Sequence, residues 1–131
     1  MTAMPLGPAL VAVFIGAGLG ACLRYALGET LNHLLPRLPL GTLAANLIGG
    51  YLVGIAIGFF AWRSDLSVLW RLALITGFLG GLTTFSSYSV ESLVLIQRGH
   101  WALAAGHTLA HVLGALACAA LGYRLGQALL T

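Results

Sequence analysis

Lysine is absent from this sequence, and acids are nearly so: Glu29, Asp65 and Glu91 stand against six arginines. A water-soluble domain wears a charged coat of roughly 25% of its residues. Here 7% of the 131 residues are charged and 60% are hydrophobic, which excludes a soluble globular domain and puts the chain in lipid. The six arginines give a net charge of +3 but form no basic cluster, so no nucleic-acid partner is expected. Cysteine is scarce too. Cys22 and Cys118 both lie in apolar runs and read as small packing residues, not as a disulfide framework. Leu19-Gly20-Ala21-Cys22 resembles a lipoprotein cleavage site, but nothing before Arg24 is charged, and a signal peptide needs a positive leading region. The serines of the third apolar stretch have no companion base and acid, so an enzyme is not expected.

What is present is long apolar segments. A helix crossing the hydrocarbon core needs about 20 apolar residues, and four stretches qualify, at about 6–35, 40–62, 70–97 and 101–126. Pro36 and Pro39 separate the first pair, Arg63-Ser64-Asp65 the second, and Arg98-Gly99-His100 the third. Trp62, Trp70 and Trp101 all fall at span edges, where an amphipathic ring prefers the headgroup level. The expectation is an all-α membrane protein, one four-helix transmembrane domain over residues 1–131.

Its orientation is not set by charge. With four crossings, Arg63, Arg71 and Arg124 share one face, and Arg24, Arg37 and Arg98 the other. A chain without positive-inside bias can insert both ways, and the two orientations can pair as an antiparallel dual-topology homodimer. The 18 glycines favour close packing. Helices in lipid associate through small residues. Gly16 and Gly20 stand four apart in the first span, and Gly50, Gly54 and Gly58 in the second. Gly106, Ala110, Gly114, Cys118, Gly122 and Gly126 put a small residue at every fourth position of the fourth.

Polar side chains within a span need a reason. Asn46, in an uncharged span, is either interhelical glue or a pore ligand. The third span carries Gly80-Gly81 and then Thr83, Thr84, Ser86, Ser87, Tyr88, Ser89 and Glu91. The paired glycines predict a helix broken near mid-membrane, which lipid tolerates only where protein or an ion satisfies the freed backbone. Phe85, Tyr88 and Ser92 share one helix face, as packing residues or as ring edges against an anion. Arg24 lies about 24 Å along the helix from Pro8, placing it near an interface, where it snorkels or lines an aqueous mouth. His107 and His111 are four apart and could hold a metal, but no other ligand set accompanies them in the sequence, so a polar wall is the simpler reading.

Three blocks carry a resemblance: Gly16-Ala17-Gly18-Leu19-Gly20-Ala21-Cys22-Leu23-Arg24-Tyr25, the Gly41–Gly54 stretch around Asn46, and Gly77–Ser89 with its Gly-Gly-Leu-Thr-Thr-Phe-Ser run. In this order, one per span, they resemble the Fluc/CrcB family of fluoride channels. The resemblance implies a passive, fluoride-selective channel of the bacterial inner membrane that exports fluoride and lowers its toxicity. It further implies an antiparallel homodimer with two pathways and a structural sodium ion held by the backbone carbonyls of Gly80 and Thr83. Asn46, Phe85 and Tyr88 would line the fluoride path, together with Arg24, Thr42 and His111. Tyr88 stands where the family has a second phenylalanine, and His107-Thr108 to His111 stands where it offers a hydroxyl-bearing track. The alternatives are a small dual-topology cation or drug exporter, which needs a membrane-embedded carboxylate that the first span lacks before Glu29, and an accessory subunit without transport.

Overall fold

The computed structural model describes residues 4–130, so the ends of the expected 1–131 domain lie outside the described residues. Four helical passages are long and apolar enough to cross a bilayer. Helix α1 (Leu6–Leu31) carries Pro8 in its first turn, where a missing N–H costs nothing. It ends at Leu31, short of the expected Leu35. Just beyond it, Asn32 Oδ1 accepts the N–H groups of Gly41 at 2.7 Å and Thr42 at 3.4 Å. Those are orphan donors at the start of α2 (Leu40–Trp62), and Pro39 before them cannot cap with a side chain.

The third passage is assembled from pieces. Ser67 Oγ caps α3 (Val68–Arg71) by accepting the Leu69 N–H. A π-helical segment (Leu72–Leu79) follows, then α4 (Gly80–Leu82). Gly80 and Gly81 are therefore helical. The extended residues come just after them: Thr83 at φ −79°, ψ 152° and Thr84 at φ −147°, ψ 121°. Helix α5 (Phe85–Gln97) restarts with Thr84 Oγ1 accepting the Ser87 N–H at 3.1 Å. Gly99, at φ +75°, makes the left-handed turn that ends α5. Helix α6 (Trp101–Leu130) runs past the expected residue 126. Trp62, Trp70 and Trp101 sit at helix ends.

Two helix pairs close on bare backbone. Against α1, a Cβ on Gly81 would strike the Ala17 carbonyl, and one on Gly16 the Ala73 carbonyl of the π segment. Between α2 and α6, Gly54 faces the Ala119 carbonyl and Gly122 the Tyr51 carbonyl. Such approaches gain the dispersion energy that substitutes for a hydrophobic drive in lipid. Both pairs run parallel, since partner numbers rise together along them. The buried centre is small, with Ala45, Leu79 and Leu82 at its heart. The larger apolar residues, such as Phe14 and Leu19, point outward, as a lipid-facing surface requires. The expected small-residue stripe of α6 holds only in part. Gly122 and Gly126 are buried, but Gly106 and Ala110 face outward, and Ala104, His107 and His111 take the inner face.

Candidate functional site: a polar seam between α2, α5 and α6

The site begins with the bend at Thr83 and Thr84. A bend in a membrane helix frees peptide groups that water cannot satisfy. Asn46, one turn beyond Thr42 on α2, takes both polar groups of Thr84. Its Oδ1 accepts the Thr84 N–H at 2.7 Å, and its Nδ2 donates to the Thr84 carbonyl at 3.0 Å. These two bonds fix the amide's orientation, because the flipped group would set donor against donor and acceptor against acceptor. The same Nδ2 stands 2.9 Å from His111 Nδ1. That nitrogen must therefore accept, and the neutral imidazole carries its proton on Nε2. Both amide hydrogens of Asn46 are thus engaged within the chain.

Beside this clamp, Asn46, Gly80, Thr83, Phe85, Tyr88 and His111 line an open cavity of about 400 Å³. Gly49 shapes its floor, because a side chain there would collide with Thr83 Cγ2. The Phe85 and Tyr88 rings lie 5.2 Å apart, and Tyr88 in turn lies 5.0 Å from His111. The Tyr88 hydroxyl donates to Thr108 Oγ1 at 3.2 Å. Phe85 is 77% exposed and forms the outer lip.

Two candidates from the sequence lie outside that cavity. Arg24 donates Nε to the Gly81 carbonyl at 3.1 Å, tying α1 to α4 on the other side of the bend. Thr42 is buried, and its hydroxyl donates to Glu91 Oε1 at 2.5 Å. Glu91 and His107, both visible in the sequence as polar groups within spans, were not placed on the expected fluoride path. The other Glu91 oxygen, Oε2, lies 3.3 Å from His107 Nε2. The His107 and His111 rings are 4.4 Å apart. The two histidines therefore do have a third ligand-bearing neighbour, supplied by α5 and not by their own helix. A signal for it exists: Thr42/Asn46, Tyr88/Glu91 and His107/His111 are polar pairs at helical spacing, one on each of three helices.

Comparison with known proteins gives one consistent result. A model of the family described as CrcB-like protein, Camphor Resistance (CrcB), matches residues 11–123. A fluoride-specific ion channel FluC of Burkholderia pseudomallei is 54% identical over 113 residues, covering 86% of this chain and 88% of that protein. Proteins of the same name from Burkholderia vietnamiensis and Burkholderia thailandensis are each 53% identical, covering 88% and 86% of this chain and 90% and 88% of their own lengths.

Proposed function

This chain belongs to the CrcB-like family, and from that premise we infer that it is a fluoride-selective channel, not an enzyme. It sits as a multi-pass protein in the bacterial cell membrane and lets fluoride leave the cytoplasm passively, lowering its toxicity. The observation that carries this reading is the cavity beside the Asn46 clamp, mostly apolar but edged by Asn46, Thr83, Tyr88 and His111, in a chain 54% identical to a protein named for fluoride conduction.

Fluoride is small and strongly hydrated, so a path must replace its water step by step without trapping it. Asn46 can release its bond to His111 and offer that N–H to the anion. Phe85 and Tyr88 present ring edges, which carry the positive part of the ring quadrupole. His111 and Thr42 continue the polar surface, and Arg24 contributes positive charge near the bend.

The working unit is an antiparallel dual-topology homodimer with a third span broken at mid-membrane. The even arginine division supports the dual topology. Gly80, exposed on the single chain, supports a second copy meeting it there. A structural sodium fits the same place. In an unbroken helix the Gly80 carbonyl would accept the Thr84 N–H, but Asn46 takes that donor. Gly80 and Thr83 can therefore turn carbonyl oxygens toward a hard cation, which bridges the two chains. Purified protein in liposomes, followed with a fluoride-selective electrode, tests the function. Fast fluoride efflux with no chloride efflux is expected; no fluoride release above empty liposomes would sink the reading.

A further inference from the structure

We propose that Glu91, His107 and His111 form a binding site for a first-row divalent transition metal, of which zinc suits them best, and that the bound ion blocks the cavity beside Asn46. The block rests on the channel reading above; the binding does not. Glu91 Oε2, His107 Nε2 and His111 Nε2 are all buried and have no hydrogen-bond partner among the described residues. Both histidines are 4% exposed. Leaving three such groups unpaired in a membrane interior is costly, and one shared cation would satisfy all of them.

The geometry is that of ligands, not of an ordinary ion pair. His107 Nε2 and Glu91 Oε2 stand 3.3 Å apart without the directionality of a hydrogen bond. Two ligands about 2.0–2.1 Å from a tetrahedral zinc are themselves roughly 3.3–3.4 Å apart. One ligand atom from each of the three residues lies within 4.8 Å of the other two, so a small rotation of the His111 ring completes the set. Two imidazoles and one carboxylate, with a fourth position for water, form a donor set for zinc and not for magnesium or calcium. The Thr42 hydroxyl already orients Glu91 through its other oxygen. Glu91 also borders a 280 Å³ pocket with Arg37, Arg98 and His100, which gives the ion a way in from that end against two guanidinium groups.

Blockade follows from the tautomer. A metal on His111 Nε2 sends the ring proton to Nδ1, where it meets the Asn46 N–H at 2.9 Å. Two donors cannot share that contact, so the amide either turns over and gives up its bonds to Thr84 or loses its partner on His111. Metal binding and the intact network that joins Asn46 to both Thr84 and His111 exclude each other.

Cobalt(II) titrated into the purified full-length protein tests this, because tetrahedral coordination gives intense visible bands that octahedral cobalt lacks. One ion per chain with tetrahedral bands, displaced by zinc, is expected. Glu91→Gln and His107→Gln should each weaken zinc at least about tenfold in calorimetry, with size-exclusion elution reporting that they remain folded. His33→Asn and His100→Asn should bind like wild type. Absent tetrahedral bands in the wild type, or unchanged zinc affinity in both site variants, overturns the site; so does loss of binding in the His33 or His100 variants. Zinc binding without slowed fluoride efflux overturns the block alone. Bands in a protein that conducts no fluoride would sink the channel reading and leave the site standing.

Discussion

The two halves of the α2–α6 pair are built on opposite principles. Toward the C-terminal ends, Gly50, Gly54 and Gly122 bring backbone against backbone, and nothing else fits between the helices. Toward the N-terminal ends, Thr42 and Asn46 look across to His107 and His111, and α5 inserts Tyr88 and Glu91 at the same level. One half draws its strength from dispersion at close range. The other is held by hydrogen bonds among groups that lipid would not tolerate alone. The same two helices thus supply a closed, backbone-packed end and an open end edged with polar groups. Stability and conduction should separate along them.

The largest test of that separation is Gly54→Leu. Its side chain would be driven into the Ala119 backbone, which cannot yield as a flexible side chain would. The destabilisation expected is about 3 kcal/mol or more, read as lost monodisperse elution and a collapsed thermal melt. A variant that folds and melts like wild type would show the glycine half to be looser than described.

Next comes Asn46→Asp. It keeps an acceptor for the Thr84 N–H but puts negative charge where the anion must pass. Fluoride efflux should fall about a hundredfold, near 3 kcal/mol on the barrier, while the protein still elutes as one folded species. Asn46→Leu should lose flux as well, and in addition cost about 1–3 kcal/mol of stability by orphaning Thr84. Near wild-type efflux in both would move the path away from the polar half.

Smaller effects sharpen the picture at the aromatic lip. Phe85→Ile removes a ring that is 77% exposed, so the melt should hardly move while efflux drops about tenfold, roughly 1.4 kcal/mol. Tyr88→Phe keeps the ring edge and loses only the bond to Thr108. It should conduct and cost about 1 kcal/mol in the melt; a dead Tyr88→Phe channel would make the hydroxyl the essential group. The smallest change is Gly106→Ala. A Cβ on Gly106 would meet nothing within 4 Å, so the alanine should stabilise by roughly 0.5–1 kcal/mol and leave efflux unchanged. Destabilisation there would reveal a neighbour, such as a second copy, against that face.

The spans were legible because bilayer thickness fixes a length, and four apolar runs of that length are written one after another. Their edges were legible where a proline or tryptophan marks them, as at Pro39, Trp62 and Trp101. The end of α1 was not. Asn32, at the end of α1, reaches with its side chain to cap α2, and that depends on where α2 begins in space. The glycine pair of the third passage was easy to see but ambiguous in meaning. Gly81 is helical and serves the close approach to Ala17, while the extended residues are Thr83 and Thr84. A glycine spells close approach and backbone freedom with the same letter, and only the neighbour tells which one applies.

Sequence alone determined that this chain lies in lipid, crosses it four times, and carries Asn46 in an uncharged span, Phe85 and Tyr88 in a hydroxyl-rich one, and His111 one turn from His107. Those facts depend on composition and on spacing within one helix, which a linear string records. The tertiary structure decided what each polar group meets: Asn46 with the bend at Thr84, Arg24 with the Gly81 carbonyl, and Glu91 of α5 with two histidines of α6. Such meetings are set by helix rotation and register across a bilayer. Small residues determine both, through how closely the backbones can approach.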